Sequence, residues 1–194
     1  MRRPTLIVMV KEPRPGRVKT RLGREIGMTN AAWWFRHQTS ALLRRLRDPR
    51  WDLLLAVAPD REGMTSRVWP ADVQRVPQGG GDLGIRMARA LRATSGPTLL
   101  IGSDIPGITR RHIADGFAAL GQGLSVIGPA PDGGFWLIGL RHPRRQPSDL
   151  FSGVSWSSPQ TLDQTLPTLP GPVSQIAILA DVDTADDLLT ASTT

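Results

Sequence analysis

Short apolar runs alternate with amphipathic stretches along most of the chain. The apolar runs are six to eight residues long and each is followed by loop residues: 5–10, 51–58, 98–104, 124–130 and 135–140. Continuous apolar runs of this length are typical of strands buried on both faces. Helical patterns lie between them, and this alternation predicts an α/β fold with a mostly parallel sheet between two layers of helices.

Three stretches carry helical periodicity. Thr29 or Asn30 is predicted to cap a helix that ends near Arg47, and Thr109 to cap another. The stretch 82–93 has an apolar stripe formed by Leu83, Met87, Ala90 and Leu91. Aromatic residues at helical positions usually belong to the core, so the same is predicted of Trp33 and Trp34.

Three polar, Gly/Pro-rich turns follow predicted strands. They are "KEPRPGRVKTRL" (11–22), "GSDIPG" (102–107) and "PAPDGG" (129–134). Ligands of open α/β sheets bind at the carboxyl ends of the strands, where such loops gather. We therefore expect the three turns to share one rim of the sheet.

Composition narrows the class of protein. The 194 residues are 40% hydrophobic, which suits one domain spanning 1–194. No cysteine is present, so any metal would be held by oxygen or histidine ligands. No apolar run is long enough to span a membrane, and the first one is too short for a signal peptide, which predicts a cytoplasmic protein.

The net charge is +7, yet the basic residues are scattered and form no single tract. A phosphate-bearing partner fits this charge, whereas nucleic acid is not indicated because the aromatic residues needed for base stacking are few. Only two lysines occur, Lys11 and Lys19, and both lie in the 11–22 loop among arginines. Lysine presents a compact charge that can contact one phosphate oxygen, so this clustering is a hint of a phosphate site.

The 11–22 loop is not a nucleoside-triphosphatase P-loop, because Val18 stands where that motif needs its second glycine. It remains either a solvated charged surface or a loop that wraps a triphosphate. "GGGDLG" (79–84) matches the dinucleotide-binding spacing, with Asp104 twenty residues further on, but the strand before it is short. The alternative is a turn that lets a ligand approach the backbone closely.

Three acidic segments each have two interpretations. Asp104 is either a turn residue or a ligand for a hard cation. In the segment 181–188, Thr184 and Asp187 are predicted to form a helix cap. The alternative is that this segment supplies metal ligands, since Asp181 and Asp183 are two residues apart and would point the same way on an extended chain. Asp132 lies either in a tight hairpin turn or on an acceptor-side loop.

Six segments, in this order over nearly the whole chain, carry a family resemblance: "KEPRPGRVKTRLG", "QGGGDLGIRM", "IGSDIPGIT", "GPAPDGGFWLIGL", "FSGVSWSS" and "LADVDTADDL". Together they resemble GT-A-fold, glycosyltransferase-like proteins of the radical-SAM/selenodomain-associated transferase 1 type. This family is similar to the 2-phospho-L-lactate and molybdenum-cofactor guanylyltransferases. The resemblance implies a three-layer α/β/α fold of the nucleotide-diphospho-sugar transferase type.

The resemblance also implies residue roles. The first loop would hold a nucleoside triphosphate through Gly16, Lys19 and Arg21, with Lys11 nearby. Asp104 and Asp183 would hold Mg²⁺ or Mn²⁺. The second loop would contact the base and ribose through Gln78, Gly79, Gly80, Gly81 and Asp82.

The "PAPDGG" turn would contribute Asp132, Gly133 and Gly134 to substrate binding. Many members carry a tyrosine after D-G-G, whereas Phe135 stands here, so no hydroxyl is available from that position. Residues 154–158 are left open between an acceptor pocket, a homodimer surface and a helix cap.

Three functions remain in order of preference. The first is Mg²⁺-dependent nucleotidyl transfer from a nucleoside triphosphate to a small phosphorylated or hydroxyl acceptor, with Lys19, Arg21 and Asp104 as catalytic residues. The second is glycosyl transfer from a nucleotide sugar, disfavoured because "SDIPG" lacks a D-x-D pair. The third is nucleotide binding without catalysis.

Overall fold

The computed structural model describes residues 3–182, 184, 186 and 187. Five of its strands lie where the apolar runs predict them, a sixth is the short strand expected before the 79–84 glycines, and a seventh lies at 173–175. The strands are β1 (Thr5–Lys11), β2 (Asp52–Ala58), β3 (Gln74–Pro77), β4 (Thr98–Ile101), β5 (Ser125–Pro129), β6 (Phe135–Leu140) and β7 (Val173–Gln175).

The seven strands form one sheet in the order β3-β2-β1-β4-β6-β5-β7. Pairing is parallel except around β6, which runs antiparallel to both β4 and β5. β5 and β6 form a hairpin, and the turn between them contains Asp132. This mixed but mostly parallel sheet confirms the predicted fold class.

Helices cover both faces of the sheet. They are α1 (Thr20–Ile26), α2 (Met28–Arg45), α3 (Asp60–Thr65), α4 (Leu83–Arg92), α5 (Arg110–Gln122) and α6 (Thr161–Thr165), with 3₁₀ turns at Pro143–Arg145 and Leu166–Thr168. Two caps are well formed, of which only the one at Thr109 was predicted from the sequence. The Asp82 carboxylate accepts from the Ile85 N–H at 2.9 Å, and Thr109 forms a capping box with His112.

Alternation along β1 divides the core between the two faces. Leu6, Val8 and Val10 pack in one cluster with residues of α2 and α5, whereas Ile7 packs in a second cluster with residues of α4. Each fully buried aliphatic side chain contributes about 1.5–3 kcal/mol to folding. The two clusters hold the sheet between its helical layers and leave the strand ends accessible.

Three local predictions were wrong. α2 begins at Met28 after Gly27, so neither Thr29 nor Asn30 caps it. α1 begins at Thr20, inside the stretch predicted to be loop. Trp33 is 63% exposed and stacks on His37 one turn further along α2, with ring centroids 3.9 Å apart, so it is not a core residue.

Candidate functional site

A cavity of about 650 Å³ opens at the carboxyl ends of β1, β4 and β5. The three polar turns predicted to share one rim all contribute to its wall. Lys11, Lys19 and Arg21 come from the first turn, Asp104 from the second, and Asp132 and Gly134 from the third. The parallel arrangement of β1, β4 and β5 explains this convergence, because their carboxyl ends lie on the same edge of the sheet.

The turn after β1 is held by backbone hydrogen bonds. The Glu12 N–H donates to the Ala58 carbonyl at 2.7 Å, and the Arg17 N–H to the Arg14 carbonyl at 3.0 Å. Gly16 supplies a positive φ of 74° and Lys19 has a left-handed conformation with φ 45° and ψ 49°. Such a conformation is costly for a residue with a β-carbon and is concentrated at functional sites.

Lys19 forms the electrostatic centre of the cavity wall. Its Nζ lies 2.8 Å from Asp104 Oδ2 and 4.0 Å from Asp181 Oδ2, and its side chain is only 6% exposed. A nearly buried ammonium group is stable only when it is paired with anions. The two carboxylates are about one-third exposed, at 33% and 37%, so they face both the lysine and the open cavity.

Neighbouring elements fix the two carboxylates. Asp104 follows β4, and its carbonyl accepts the Val182 N–H at 3.2 Å, which draws Asp181 to the same place. The guanidinium of Arg45 donates to the Pro106 carbonyl at 2.6 Å and supports the turn from behind. Burial lowers the pKa of Arg45 below the usual arginine value.

Gln78 connects the ends of two strands at the cavity floor. It is 2% exposed, and its Nε2 donates to the Val10 carbonyl at 3.1 Å and to the Ala56 carbonyl at 2.8 Å. Its Oε1 is buried without a hydrogen-bond partner. Gln78 therefore lines the cavity while its amide group holds β1 and β2 together.

The turn at residues 79–84, called the glycine turn below, borders a second cavity of about 580 Å³ next to the first. Gly79 and Gly80 line it together with Lys11, Arg17 and Arg86, which also line the first cavity. The Gly79 N–H donates to Asp60 Oδ1 at 3.0 Å, and the Arg89 guanidinium donates to the Gly80 carbonyl at 3.0 Å. These bonds order the glycine turn at the mouth of both cavities.

Four predicted site residues line neither cavity. Gly16 shapes the first turn, Gly81 packs against Ile85, Asp82 caps α4, and Gly133 packs against the Pro159 backbone. Each of them lies in or beside a turn that carries cavity-lining residues.

Asp183, one of the two predicted metal ligands, lies outside the described residues. Within the described part of the chain, no three Asp, Glu or His side chains gather into a metal-binding group. The adjacent Thr184 hydroxyl and N–H both donate to Asp187 Oδ2 at 2.8 Å, which are hydrogen bonds of the predicted cap.

Sequence reasoning left residues 154–158 open, and the structure places Trp156, Ser157 and Ser158 in the wall of the first cavity. They lie near Asp132 along that wall, because the turn after β5 packs on the segment that precedes α6. The Leu162 N–H donates to the Gly133 carbonyl at 2.8 Å at this junction. No sequence signal distinguished this location from the alternatives.

Backbone strain marks the same cavity. Lys19, Phe151 and Ser157 are the non-glycine residues with positive φ among those described. Lys19 and Ser157 line the cavity, and the Phe151 ring packs edge-on against Trp156 at 5.8 Å. Strain of this kind persists where the surrounding structure requires it, as at binding sites.

Comparison with known proteins gives a family and a fold. The profile of the family DUF2064, described as an uncharacterized protein conserved in bacteria, matches residues 41–158. No functionally curated protein matches the chain significantly. Among the described residues no helix is long and apolar enough to cross a membrane.

Solved structures extend the likeness over the whole chain. A Desulfovibrio desulfuricans G20 protein, provisionally described as a nucleotide-diphospho-sugar transferase, is 32% identical with a TM-score of 0.83, over 97% of this chain and 85% of its own. The 4-diphosphocytidyl-2C-methyl-D-erythritol synthase of Anaerococcus prevotii DSM 20548 is 12% identical with a TM-score of 0.63, over 99% and 97%.

The manganese complex of Rv0371C from Mycobacterium tuberculosis H37Rv is 14% identical with a TM-score of 0.58, over 100% of both chains. These two more distant structures share the fold. The family match covers more than half of the chain, and the Desulfovibrio protein is similar over nearly all of it. The chain therefore belongs to the DUF2064 family of bacterial proteins.

Proposed function

We propose that this protein is a nucleotidyltransferase that moves an NMP group from a nucleoside triphosphate to a small acceptor and releases pyrophosphate. The observation that supports this most is the pairing of Lys19 with Asp104 in the wall of a 650 Å³ cavity lined by further cations. A triphosphate needs such cations, and the carboxylate provides a place for the metal that accompanies it.

The cationic turn would hold the triphosphate. Lys11, Arg17, Lys19 and Arg21 all line the cavity, and each can donate hydrogen bonds to phosphate oxygens. Lys19 and Arg21 would stabilise the negative charge that develops on the departing pyrophosphate. Phosphoryl chemistry of this kind depends on positioning and electrostatics, so it needs no protein nucleophile.

The donor set suits Mg²⁺ or Mn²⁺. The carboxylates of Asp104 and Asp181 both face the Lys19 ammonium. The two carboxylates are therefore close enough together to share one positive charge. Mg²⁺ in proteins takes one or two carboxylates and completes its shell with water and phosphate. Asp104 with Asp181 or Asp183 would hold the ion, which when bound would neutralise charge on the phosphates.

The base and ribose would lie toward the second cavity. Gly79 and Gly80 border it, and Arg17 and Arg86 line both cavities, so one nucleotide could extend from one into the other. Gln78 would hold the strand ends in place behind the ligand, because its amino group is occupied by two strand carbonyls and its Oε1 is buried. We propose Gly79 and Gly80 as base or ribose contacts, and Gly81 and Asp82 as residues that shape the turn.

Glycosyl transfer is the second candidate. The 32% identical Desulfovibrio protein, which carries the description of nucleotide-diphospho-sugar transferase, favours it. Both reactions need cations on a diphosphate, so the same cavity wall would serve either of them. The two reactions differ in the bond that breaks. Nucleotidyl transfer breaks the bond between the α-phosphorus and the oxygen that bridges to the β-phosphate, whereas glycosyl transfer breaks the bond between the sugar carbon and the diphosphate.

A ligand panel tests the proposal. Melting temperatures would be measured with each nucleoside triphosphate, its diphosphate and UDP-sugars, with and without Mg²⁺, followed by pyrophosphate release for each stabilising ligand. We expect a Mg²⁺-dependent rise with a triphosphate, because a ligand stabilises the state that it binds. The rise should be lost in Lys19→Gly and kept in Arg24→Ala, an exposed cation on α1 outside both cavities. Stabilisation by nucleotide sugars alone would favour glycosyl transfer and contradict the proposal.

A further inference from the structure

The charged residues that line the first cavity come from different segments of the chain. Its basic wall residues are Lys11, Arg17, Lys19, Arg21 and Arg86, which come from the turn after β1, the start of α1, and α4. The lining residues between 130 and 161 include no Lys, Arg or His, and they include the carboxylate of Asp132. Residues 183–194 carry no basic side chain in the sequence, so they add no cation there.

Trp156 provides a fixed aromatic surface among these lining residues. Its ring packs edge-on against Phe151 and Phe135, with centroids 5.8 and 6.4 Å away. A β-carbon at Gly84 on α4 would lie 2.6 Å from Trp156 Cζ2, so α4 presses directly on the indole. The indole N–H makes no hydrogen bond to a described residue and can donate to a ligand.

Ser157 presents a hydroxyl that the surrounding turn does not use. Within the described part of the chain it has no hydrogen-bond partner, and its φ is +57°. Its neighbours are committed to the turn. The Thr161 hydroxyl donates to the Ser155 and Ser158 carbonyls at 2.8 and 2.7 Å, and the Ser158 hydroxyl accepts the Gln160 N–H at 3.2 Å. The turn thus holds Ser157 in a strained conformation facing the cavity.

Asp132 adds an acceptor group to the same wall. Its Oδ1 accepts the Gly134 N–H at 2.9 Å, which fixes the carboxylate, and its Oδ2 has no partner among the described residues. An indole face, a hydroxyl, an indole N–H and a carboxylate oxygen match the carbon face and hydroxyl groups of a sugar or polyol. A phosphate ester placed beside Asp132 would be repelled by its carboxylate.

We infer that Asp132, Trp156 and Ser157 form an acceptor subsite for an uncharged, hydroxyl-bearing small molecule such as a sugar or polyol, and that it disfavours phosphorylated acceptors. This rests on the proposed nucleotidyl transfer and specifies its acceptor. The acceptor hydroxyl oxygen forms a bond to the α-phosphorus, the bond from that phosphorus to the bridging oxygen breaks, and pyrophosphate leaves with the electron pair. The hydroxyl proton passes to solvent, and the product is an NMP ester of the alcohol.

Matched acceptor pairs test the inference. Pyrophosphate release would be measured with Mg²⁺ and the triphosphate that binds, in the presence of glucose, glycerol or ribitol and, separately, their monophosphates. We expect at least one neutral compound to raise the rate at least tenfold more than its phosphate ester. A phosphate ester that works better, or neutral compounds that are all inactive although the triphosphate binds, would overturn the subsite.

Variants separate acceptor binding from folding and from nucleotide binding. Ser157→Gly keeps the left-handed backbone and removes the hydroxyl, so the KM of the neutral acceptor should rise at least fivefold while the KM of the triphosphate changes less than twofold. Ser152→Ala, an exposed position on the same segment outside the cavity, should change neither. Equal effects of the two variants would overturn the role of Ser157. Failure to bind any triphosphate would refute the proposed function itself, which the melting panel detects separately.

Discussion

At the scale of single residues, the proposed function depends most on Lys19. The sequence could single it out, because Lys11 and Lys19 are the only lysines and share one loop. It could not reveal the carboxylate partners, since they come from segments that follow much later in the chain. Nor did it reveal the left-handed backbone at Lys19. Asp181 shows the same limit, because its place beside Lys19 comes from a backbone hydrogen bond between residues 182 and 104.

Because the Lys19 ammonium stands between Asp104 and Asp181, it should compete with a divalent cation. We expect Lys19→Gly to bind Mn²⁺ about tenfold more tightly than wild type when no nucleotide is present, which corresponds to about 1.4 kcal/mol. Electron paramagnetic resonance of free Mn²⁺ measures this directly. Arg24→Ala is the control and should leave Mn²⁺ affinity unchanged. Unaltered or weaker Mn²⁺ binding in Lys19→Gly would show that the ammonium does not occupy the cation position.

At the scale of elements, most strands and helices could be predicted from apolar periodicity. Two features could not. The sequence gives no sign that α1 begins inside the cationic stretch, because its first residues are also typical of a loop. Trp33 looked like a core residue, but helical spacing identifies a face only when the neighbouring element is known, and α2 directs Trp33 outward.

Gln78 shows how one side chain joins two elements. Its amino group satisfies the Val10 and Ala56 carbonyls at the ends of β1 and β2. We expect Gln78→Ala to lose about 2 kcal/mol of stability, at about 1 kcal/mol per hydrogen bond, and to lower the melting temperature by about 4–8 °C. Thermal unfolding checks this, with the exposed Gln122→Ala as control. A melting temperature within 1 °C of wild type would show that these bonds do not stabilise the sheet.

Gly133 joins the β5–β6 turn to the segment before α6. It has a φ of +83°, and a β-carbon there would overlap the Pro159 backbone. We expect Gly133→Ala to displace residues 155–161 and to weaken acceptor use with little change in triphosphate affinity. Gly121→Ala, where a β-carbon meets no atom within 4 Å, is the control. Normal acceptor kinetics in Gly133→Ala would contradict this coupling between the two turns.

At the scale of the whole molecule, the fold gathers loops that are distant in sequence. The rule that ligands bind at the carboxyl ends of parallel strands predicted the rim, and the three turns do share it. The antiparallel direction of β6 was predicted only by one of the two interpretations of Asp132, the one that places it in a hairpin turn. Both interpretations of Asp132 apply, since the hairpin turn itself lines the cavity.

The net charge of +7 and the cationic cavity wall also make a prediction at this scale. Raising NaCl from 50 to 500 mM should weaken binding of the preferred triphosphate more than that of its monophosphate, because the triphosphate meets more of the cationic wall. Isothermal titration at both salt concentrations measures the two ratios. Equal salt dependence of the two ligands would mean that the cationic turn does not contact the phosphates.

The most direct test of the central claim is the affinity of the preferred triphosphate in the presence of Mg²⁺, measured by titration calorimetry for wild type, Lys19→Gly and Arg24→Ala. We predict that Lys19→Gly weakens binding at least tenfold, since a charge-assisted hydrogen bond contributes about 1.5–3 kcal/mol, while Arg24→Ala binds like wild type. Equal affinity in Lys19→Gly and wild type, or no binding of any triphosphate to wild type, would contradict it.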